Sequence, residues 1–361
     1  MTQLQRFKSA LAERNFDGAI ISSEINQRYL CDFPFSDGYI LVTQGKSYVL
    51  TDFRYIEAAK RAIVGFEILC PESSMADTIA ELLKSENASR IAVEESTVSL
   101  QEYNRFSRAL DGIASLFEGA SDILLSQRAV KLDYEIERIK TAQSITDAAF
   151  SYIVGFISQN KSSLTERDIA LELDYFMQRN GAECPAFETI AVSGDASSLP
   201  HGVPRGERLK SGFLTMDFGA KYNGYCSDMT RTIVIGSADE EIKHVYNTVL
   251  TAQTTALDHI CGSMPCRTAD ALARDIIDRE GYGKAFGHSL GHGVGAFIHE
   301  RPNLSPRSAE DSLLQAGNVV TVEPGIYLEG KFGCRIEDMI LINPDGTIYN
   351  FTKSNKDLIE I

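Results

Sequence analysis

The N-terminal part of the chain alternates between helical and extended patterns of apolar residues. Residues 2–15 have the apolar spacing of an amphipathic helix. Short apolar runs bounded by turn residues follow it. They predict strands at 18–23, 38–43, 47–53 and 91–95, with helices at about 54–62 and 99–110. Helices alternating with strands over roughly 120 residues indicate an α/β domain.

The C-terminal part begins with long helical patterns and then becomes rich in strands. Isoleucines recur at helical spacing after Leu132, and a capping box of Thr165 with Asp168 predicts the start of a second helix. Two further helices are expected at about 239–260 and 268–280. The strand-like runs between and after them are FLTMDFG, YCSDMTRTIVI, NVVTVE, GIYLE and RIEDMILIN. Helices combined with mostly antiparallel strands indicate an α+β domain.

The stretch 120–140 reads as the passage between these two parts. We therefore expect an α/β domain over residues 1–125 and an α+β domain over residues 126–361. The length of 361 residues fits two domains of roughly 100–200 residues each.

Composition and charge exclude several classes of protein. The net charge is −15 and no block of Lys and Arg stands out, so a nucleic-acid binder is not expected. No apolar run reaches the roughly 18 residues that would span a membrane, and the N-terminus does not resemble a signal peptide. The seven cysteines are odd in number and include no CxxC pair, which favours free thiols over disulfides or a thiolate zinc site. A cytoplasmic location is the expectation.

The first candidate site is a hairpin that carries two aspartates. Asn223-Gly224 is a strong signal for a two-residue turn because both residues tolerate a positive φ. With that turn, Asp217 lies opposite Thr230, and Asp228 becomes its diagonal neighbour on the same face. Two converging carboxylates need a shared proton or a cation. In the alternative interpretation, one of them faces solvent at a bulge or pairs with Arg231.

The second candidate site is the glycine-rich segment GHSLGHGVGAFIHERP, which contains His288, His292 and His299. The first two histidines have the i, i+4 spacing of a zinc-binding helix, but the glycines disfavour a helix and the HExxH pattern is absent. We therefore expect a loop or a strand edge whose backbone passes close to a ligand. The residues alone do not decide whether His288 or His292 would bind a metal.

The third candidate site consists of charged residues inside apolar runs. Glu323 ends NVVTVE, and Arg335 and Glu337 share one face of the strand predicted at RIEDMILIN, with Asp338 on the other. Such residues need partners: Arg335 could pair with an aspartate and Glu337 could bind a metal. Four carboxylates carry too much charge for one buried divalent ion, so two ions are expected. Oxygen ligands with one imidazole favour Mn²⁺, Co²⁺, Fe²⁺ or Zn²⁺, and a pair of such ions supports hydrolysis.

The motifs together resemble a known family. PHG, MDFGAKYNGYCSDMTRTI, HSLGHGVG, HERP, VEPGIY and RIED are similar to the motifs of the pita-bread metallopeptidases, and above all to the proline-specific branch of aminopeptidase P and prolidase. The likeness is strong over roughly 130–361. Residues 1–125 resemble the creatinase-type N-terminal domain more weakly, through the strand pattern and TDFRY. The resemblance implies the pita-bread fold for the C-terminal domain.

The resemblance also assigns roles to single residues. It implies that Asp217 binds one metal ion, that Asp228 and Glu337 bridge two ions, and that His292 and Glu323 complete the second ion. It also places four residues around the substrate or the ligands. His201 is near the scissile bond, His288 and His299 line the pocket and help to hold the substrate, and Arg335 supports a metal-binding aspartate. Glu323 is in addition the expected proton shuttle.

The activity expected from this resemblance is hydrolysis of the bond between an N-terminal residue and proline. The metal ions would be Mn²⁺ first, with Co²⁺ or Zn²⁺ as alternatives. Short peptides would be the substrates and a homodimer the assembly. A broader or methionine-type aminopeptidase is the alternative on the same fold, and a non-catalytic binding protein is a third hypothesis. The choice between dipeptidase and aminopeptidase stays open.

Overall fold

The chain divides into two compact units. The computed structural model describes residues 1–361, and the units are Met1–Arg128 and Ala129–Ile361. The sequence places the division at 125/126, which falls inside the helix Ala120–Ala129. No helix in the structure combines the length and the apolar character that crossing a bilayer requires.

The first unit is built around a six-stranded sheet with the order β4-β3-β2-β1-β5-β6. Its strands are β1 (Gly18–Ile21), β2 (Tyr39–Thr43), β3 (Ser47–Leu50), β4 (Glu67–Leu69), β5 (Arg90–Val93) and β6 (Ser115–Glu118). The strand β2 pairs antiparallel with both β1 and β3, and the remaining pairs are parallel. The strands β4 and β6 at the two edges, which the apolar pattern does not predict, are the less buried ones.

Helices cover both faces of this sheet. They are α1 (Gln3–Glu13), α2 (Glu24–Cys31), α3 (Ile56–Ala62), α4 (Met75–Ser85), α5 (Leu100–Ala109) and α6 (Ala120–Ala129). Alternate residues of β1 point to opposite faces, so Ile21 packs with α1, α2, α3 and α6, whereas Ile20 packs with α4 and α5. The α/β class predicted for this part is confirmed.

The second unit contains four long helices in two pairs. They are α7 (Asp133–Asn160), α8 (Glu166–Arg179), α9 (Glu240–His259) and α10 (Cys266–Arg279). The capping box at Thr165 forms as predicted, with the hydroxyl accepting from the Asp168 N–H and the carboxylate accepting from the Thr165 N–H. The last helix starts at Cys266, two residues before the predicted Thr268, because Pro265 and not Thr268 occupies the N-cap position.

The two helix pairs pack on the strands of this unit and form two cores. The strands are β7 (Cys184–Pro185), β8 (Ile190–Ser193), β9 (Gly212–Phe218), β10 (Ala220–Tyr222), β11 (Tyr225–Cys226), β12 (Met229–Ile235), β13 (Gly291–Gly293), β14 (Glu300–Leu304), β15 (Val319–Val322), β16 (Gly325–Leu328), β17 (Phe332–Arg335), β18 (Asp338–Ile342) and β19 (Ile348–Asn350). They form the sheets β11-β10-β7, β12-β9-β8, β14-β13-β15-β18-β19 and β16-β17. One core joins α7 and α8 to β8, β9 and β12, and the other joins α9 and α10 to β15 and β18. The predicted α+β class is confirmed.

Candidate metal centre

The hairpin of the first candidate site has the predicted register. Asn223 and Gly224 have φ values of 44° and 84°. Asp217 is paired with Thr230, and Tyr222 with Tyr225. The register is the same in the pair β9/β12 and in the pair β10/β11, although the two pairs belong to different sheets. No bulge shifts the register, so Asp217 and Asp228 line the same cavity.

His292 lies against the carboxylates of two other segments. Its Nε2 atom is 3.5 Å from Asp228 Oδ2 and 3.3 Å from Glu323 Oε1. Potential ligand atoms of Asp228, His292 and Glu337 all lie within 4.8 Å of one another. Three separate parts of the chain therefore converge on a space of the size that a metal ion occupies.

The backbone of β13 fixes how His292 points. A Cβ atom on Gly291 would lie 2.0 Å from the Thr321 carbonyl oxygen, so the strand can approach β15 this closely only with glycine there. The Nδ1 atom of His292 lies 3.1 Å from the Gly293 carbonyl oxygen, to which it can only donate. The lone pair is then on Nε2, facing the carboxylates, which is the tautomer that a metal ligand needs. The expected loop is found at His288 and His299, whereas His292 lies in a strand that is paired on both sides, with β14 and with β15, and not at a strand edge.

Glu337 lies where the chain crosses from one sheet to another. The run RIEDMILIN is predicted as one strand, and this prediction is wrong: β17 ends at Arg335 and β18 begins at Asp338. Arg335 pairs with β16 and Asp338 with β15, while the Glu337 N–H donates to the Thr230 carbonyl oxygen at 3.1 Å. The predicted faces nevertheless hold, since Arg335 and Glu337 line the cavity and Asp338 does not.

Arg335 holds the carboxylate of Asp217. Its Nη2 atom donates to Asp217 Oδ2 at 2.5 Å, and its Nε atom donates to Thr230 Oγ1 at 2.9 Å. The alternative pairing of a hairpin aspartate with Arg231 is not found, because Arg231 lies on the opposite face of β12 and pairs with Asp338 at 2.7 Å. The cation beside the cluster is therefore Arg335.

The electrostatics of the cluster favour a bound cation. Burial, followed by repulsion from neighbouring carboxylates, raises the pKa of Asp228 and of Glu337 well above the usual range. Burial also raises the pKa of Glu323. The oxygens Asp217 Oδ1 and Glu337 Oε1 are buried without any hydrogen-bond partner. Unpartnered buried carboxylate oxygens around one imidazole are a donor set that fits divalent metal ions.

The remaining predicted site residues line the same cavity. It has a volume of about 750 Å³ and contains side chains of His201, His288 and His299 together with Arg335 and all four carboxylates. Its apolar wall is formed by Phe187, Ile190, Pro200, Val203, Pro204 and Ile298. The structure thus brings all nine predicted residues to one cavity, and that cavity combines a charged floor with an apolar wall.

His288 differs from the other two histidines because both of its ring nitrogens have partners within the protein. Its Nδ1 atom is 2.8 Å from the Ser289 carbonyl oxygen, and its Nε2 atom is 3.0 Å from the Tyr327 hydroxyl. That hydroxyl also accepts from Arg335 Nη1 at 2.6 Å. Burial lowers the pKa of His288, which fits a neutral ring that donates through Nδ1 and accepts through Nε2.

Two residues of the site are missed by the sequence reasoning. Thr230 donates from Oγ1 to Glu337 Oε2 at 2.6 Å, and Tyr327 joins Arg335 to His288. The signal for Thr230 is present in the predicted register, which puts it directly opposite Asp217. The signal for Tyr327 is weaker, since a tyrosine in a strand is ordinary.

Comparison with known proteins identifies the family. The model described as metallopeptidase family M24 matches residues 137–344, and that described as the creatinase/prolidase N-terminal domain matches residues 3–130. The chain belongs to metallopeptidase family M24. It is therefore a peptide hydrolase of a metal-dependent family, and the predicted resemblance is confirmed.

Proteins with similar sequences and structures align with nearly the whole chain. The uncharacterized peptidase YqhT of Bacillus subtilis (strain 168) is 39% identical over 358 residues, 99% of each chain. The solved Xaa-Pro dipeptidase from Bacillus anthracis is 40% identical with a TM-score of 0.94 over 99% of both chains. The X-Pro aminopeptidase from Thermotoga maritima MSB8 is 36% identical with a TM-score of 0.89 over 97% of this chain and 99% of that one. These likenesses confirm the predicted pita-bread fold with its creatinase-type N-terminal domain.

Proposed function

We propose that this M24 peptidase hydrolyses the peptide bond between an N-terminal residue and a following proline, with two divalent metal ions. The observation that carries the proposal is the cluster of four carboxylates around His292 on the floor of the cavity. Support for proline comes from the similar solved proteins, which are named Xaa-Pro dipeptidase and X-Pro aminopeptidase. The apolar wall of the cavity offers a surface for a pyrrolidine ring.

The proposed number of ions follows from charge. The four ionised carboxylates carry four negative charges, and Arg335, the cation paired with one of them, offsets a single charge. One divalent ion would leave one of the remaining three negative charges without compensation in a site where the side chains of Asp228 and Asp217 are only 6% and 14% exposed, so a second ion is proposed. Mn²⁺ is proposed first, with Co²⁺ or Zn²⁺ as alternatives.

The proposed division of the ligands follows the family pattern. Asp217 would hold one ion, Asp228 and Glu337 would hold both, and His292 and Glu323 would hold the second. The unpartnered atoms Asp217 Oδ1 and Glu337 Oε1 support both residues as ligands, because each carboxylate keeps one oxygen for a cation while the other accepts a protein hydrogen bond.

The reaction needs a proton carrier beside the scissile bond. When bound, two divalent ions polarise the carbonyl group and lower the pKa of water. Glu323 is proposed to take the proton of the attacking water and to deliver it to the departing proline nitrogen. Glu323 suits this role because it lines the cavity and accepts one hydrogen bond, from Thr321 Oγ1 to Oε1 at 3.1 Å. Arg335 keeps Asp217 in place.

The three histidines of the cavity take different roles in this proposal. His201 and His299 donate to the substrate carbonyl or hold the proline side. His288 was expected to help hold the substrate, but both of its ring nitrogens are used within the protein. We therefore propose that His288 positions Tyr327 and, through Tyr327, also positions Arg335. A homodimer, a cytoplasmic location and short peptides as substrates complete the proposal.

Two measurements test the proposed function. The first is the metal content of the purified protein after incubation with Mn²⁺, Co²⁺ or Zn²⁺, and two ions per chain are expected. The second is a kinetic comparison of Ala-Pro, Ala-Pro-Ala, Met-Ala-Ser and Ala-Ala-Ala. The proline peptides should be cleaved roughly 100-fold more efficiently than the other two. Equal or better cleavage of Met-Ala-Ser would replace the proposal by the methionine-type alternative, and the ratio of Ala-Pro to Ala-Pro-Ala separates dipeptidase from aminopeptidase.

A further inference from the structure

A loop without regular structure carries His299 into the cavity. It consists of residues 294–299 and joins β13 to β14. Phe297 at its centre is 43% exposed, whereas its neighbours Ala296 and Ile298 are buried. The ring of His299 is placed 4.4 Å from the ring of His292, centre to centre. Polar contacts to the backbone of the loop add to this packing in fixing the position of the ring.

The carboxylate of Glu300 accepts hydrogen bonds from the loop and from a buried lysine. Its Oε1 atom accepts from the Phe297 N–H at 3.0 Å, inside the loop. Its Oε2 atom accepts from Lys131 Nζ at 3.0 Å, and both side chains are only 1% exposed. A lysine in the segment before α7 and a glutamate 169 residues later thus form a fully buried ion pair directly after His299.

Gly295 shows how tightly this ion pair is packed against the loop. A Cβ atom on Gly295 would lie 2.4 Å from Glu300 Oε2 and 2.9 Å from Lys131 Cε. On its other side the Gly295 carbonyl oxygen accepts from the Cys226 N–H at 2.8 Å. The loop is therefore held between the ion pair and the hairpin that carries Asp228.

We propose that Glu300, together with Lys131, is a positioning residue that sets the place of His299 in the active site. This inference rests on the role proposed above for His299. A buried ion pair suits the task because its two charges stabilise each other only in one arrangement, whereas removing one partner leaves an unpaired buried charge. Neither residue lines the cavity. Their effect on the reaction passes through the loop.

A double-mutant cycle between Glu300→Gln and His299→Ala tests the proposal. Cleavage of Ala-Pro-Ala is measured with Mn²⁺. Each single variant should lower kcat/KM by about 10- to 100-fold, since small displacements of a positioning group have effects of this size. The double variant should be no slower than His299→Ala alone. Losses that multiply in the double variant would overturn the proposal, because Glu300 would then act independently of His299.

Glu135→Gln is the matched control. Glu135 is also buried, at 1% exposure, and lies near the same lysine, but its carboxylate accepts from the Leu132 N–H and the Tyr225 hydroxyl and does not contact the loop. The kcat/KM of Glu135→Gln should stay within about threefold of the wild-type value. If Glu300→Gln is insoluble, Lys131→Met/Glu300→Gln replaces it in the cycle, because that variant leaves neither charge unpaired.

A readout that needs neither metal nor activity separates this inference from the proposed function. The metal-free protein is labelled with ¹⁵N in its six histidines, and the His299 ring signals are identified by their loss in His299→Ala. These signals should shift in Glu300→Gln and stay in place in Glu135→Gln. Unmoved His299 signals in Glu300→Gln would refute the positioning role even if the enzyme cleaves proline peptides. A shift in a protein that does not cleave them would refute only the function.

Discussion

Glu337 and Asp338 are neighbours in the chain with equal burial and opposite surroundings. Each is 1% exposed. Glu337 faces other carboxylates, and burial together with the charges of Glu323 and Asp217 raises its pKa well above the usual range. Burial also disfavours the Asp338 carboxylate, but Arg231 and Lys356 outweigh it and lower the pKa of that group.

The hydrogen bonds show the same contrast. Both oxygens of Asp338 are used, by Arg231 at 2.7 Å, Asn350 at 2.7 Å and Lys356 at 2.8 Å. Glu337 keeps one oxygen without a partner. Burial of a carboxylate alone therefore does not indicate a functional site. What distinguishes the metal centre is burial without compensation by the protein, which leaves the compensation to a ligand.

The largest expected effect comes from Glu337→Gln. The change keeps the shape of the side chain but removes a charge that a metal needs. We expect kcat/KM on Ala-Pro-Ala to fall by more than the 10- to 100-fold that is typical for residues behind the ligands, and the number of bound ions to drop below two. Kinetics and metal analysis of the purified variant check this.

The comparison also predicts the stability of this variant. Metal-free Glu337→Gln should be at least as stable to urea as metal-free wild type, because the mutation relieves repulsion among buried carboxylates. Added Mn²⁺ at 100 times its dissociation constant should raise the unfolding free energy of wild type by about 2.7 kcal/mol and that of the variant by less. A variant that binds two ions and cleaves at the wild-type rate would remove Glu337 from the metal centre.

The next largest effect is expected at Asp338, where a mutation should lower the stability of the protein. Asp338→Asn leaves Arg231, only 1% exposed, without its anionic partner. Loss of one member of a buried pair destabilises by about 3 kcal/mol or more. Urea unfolding of the metal-free variant should show this loss, with metal-free Glu337→Gln as the control one residue away. Equal free energies of unfolding for the two variants would show that the different surroundings of the two carboxylates do not affect stability.

Features set by local geometry could be predicted from the sequence. The Asn223-Gly224 turn fixes the pairing of Asp217 with Thr230 because the two-residue period leaves no freedom once the turn is placed. The capping box at Thr165 marks a helix start for a similar reason. The helix α2 was missed because its buried side includes Asn26 and Gln27. Asn26 donates to Glu94, 68 residues away, and Gln27 donates to the Ile21 and Gly38 carbonyl oxygens, so the buried side of the helix shows no apolar period.

Residue chemistry alone predicts the register of the hairpin, but it predicts the arrangement of the site only in part. The choice between His288 and His292 required the family resemblance, whereas in the structure it follows from the partners of the ring nitrogens. The break at Glu337 was invisible because alternation of polar and apolar residues continues while the chain changes sheets. The pairing of Lys131 with Glu300 had no local signal at all, since 169 residues separate the two.

The smallest expected effect is at Glu166. Like Asp338, Glu166 is a buried carboxylate of the second unit whose charge is compensated by other protein groups. Burial disfavours its charge, but hydrogen bonds from the Arg205 side chain and from the Ser193 and Arg205 N–H groups outweigh this and lower its pKa. A lowered pKa adds stability that is fully present above the unfolded value of about 4.3 and is lost as the pH falls through the folded value.

Glu166→Gln should therefore destabilise the metal-free protein at pH 7, and the difference from wild type should shrink as the pH falls below about 4. The effect should be smaller than that of Asp338→Asn, because Arg205 is 31% exposed and water partly replaces its partner. Urea unfolding at a series of pH values measures it. Glu207→Gln is the control, since Glu207 lies 3.8 Å from the same arginine but is 61% exposed. A difference between Glu166→Gln and wild type that does not change with pH would show that Glu166 acts through packing and not through its charge, and would limit the charge argument to Asp338.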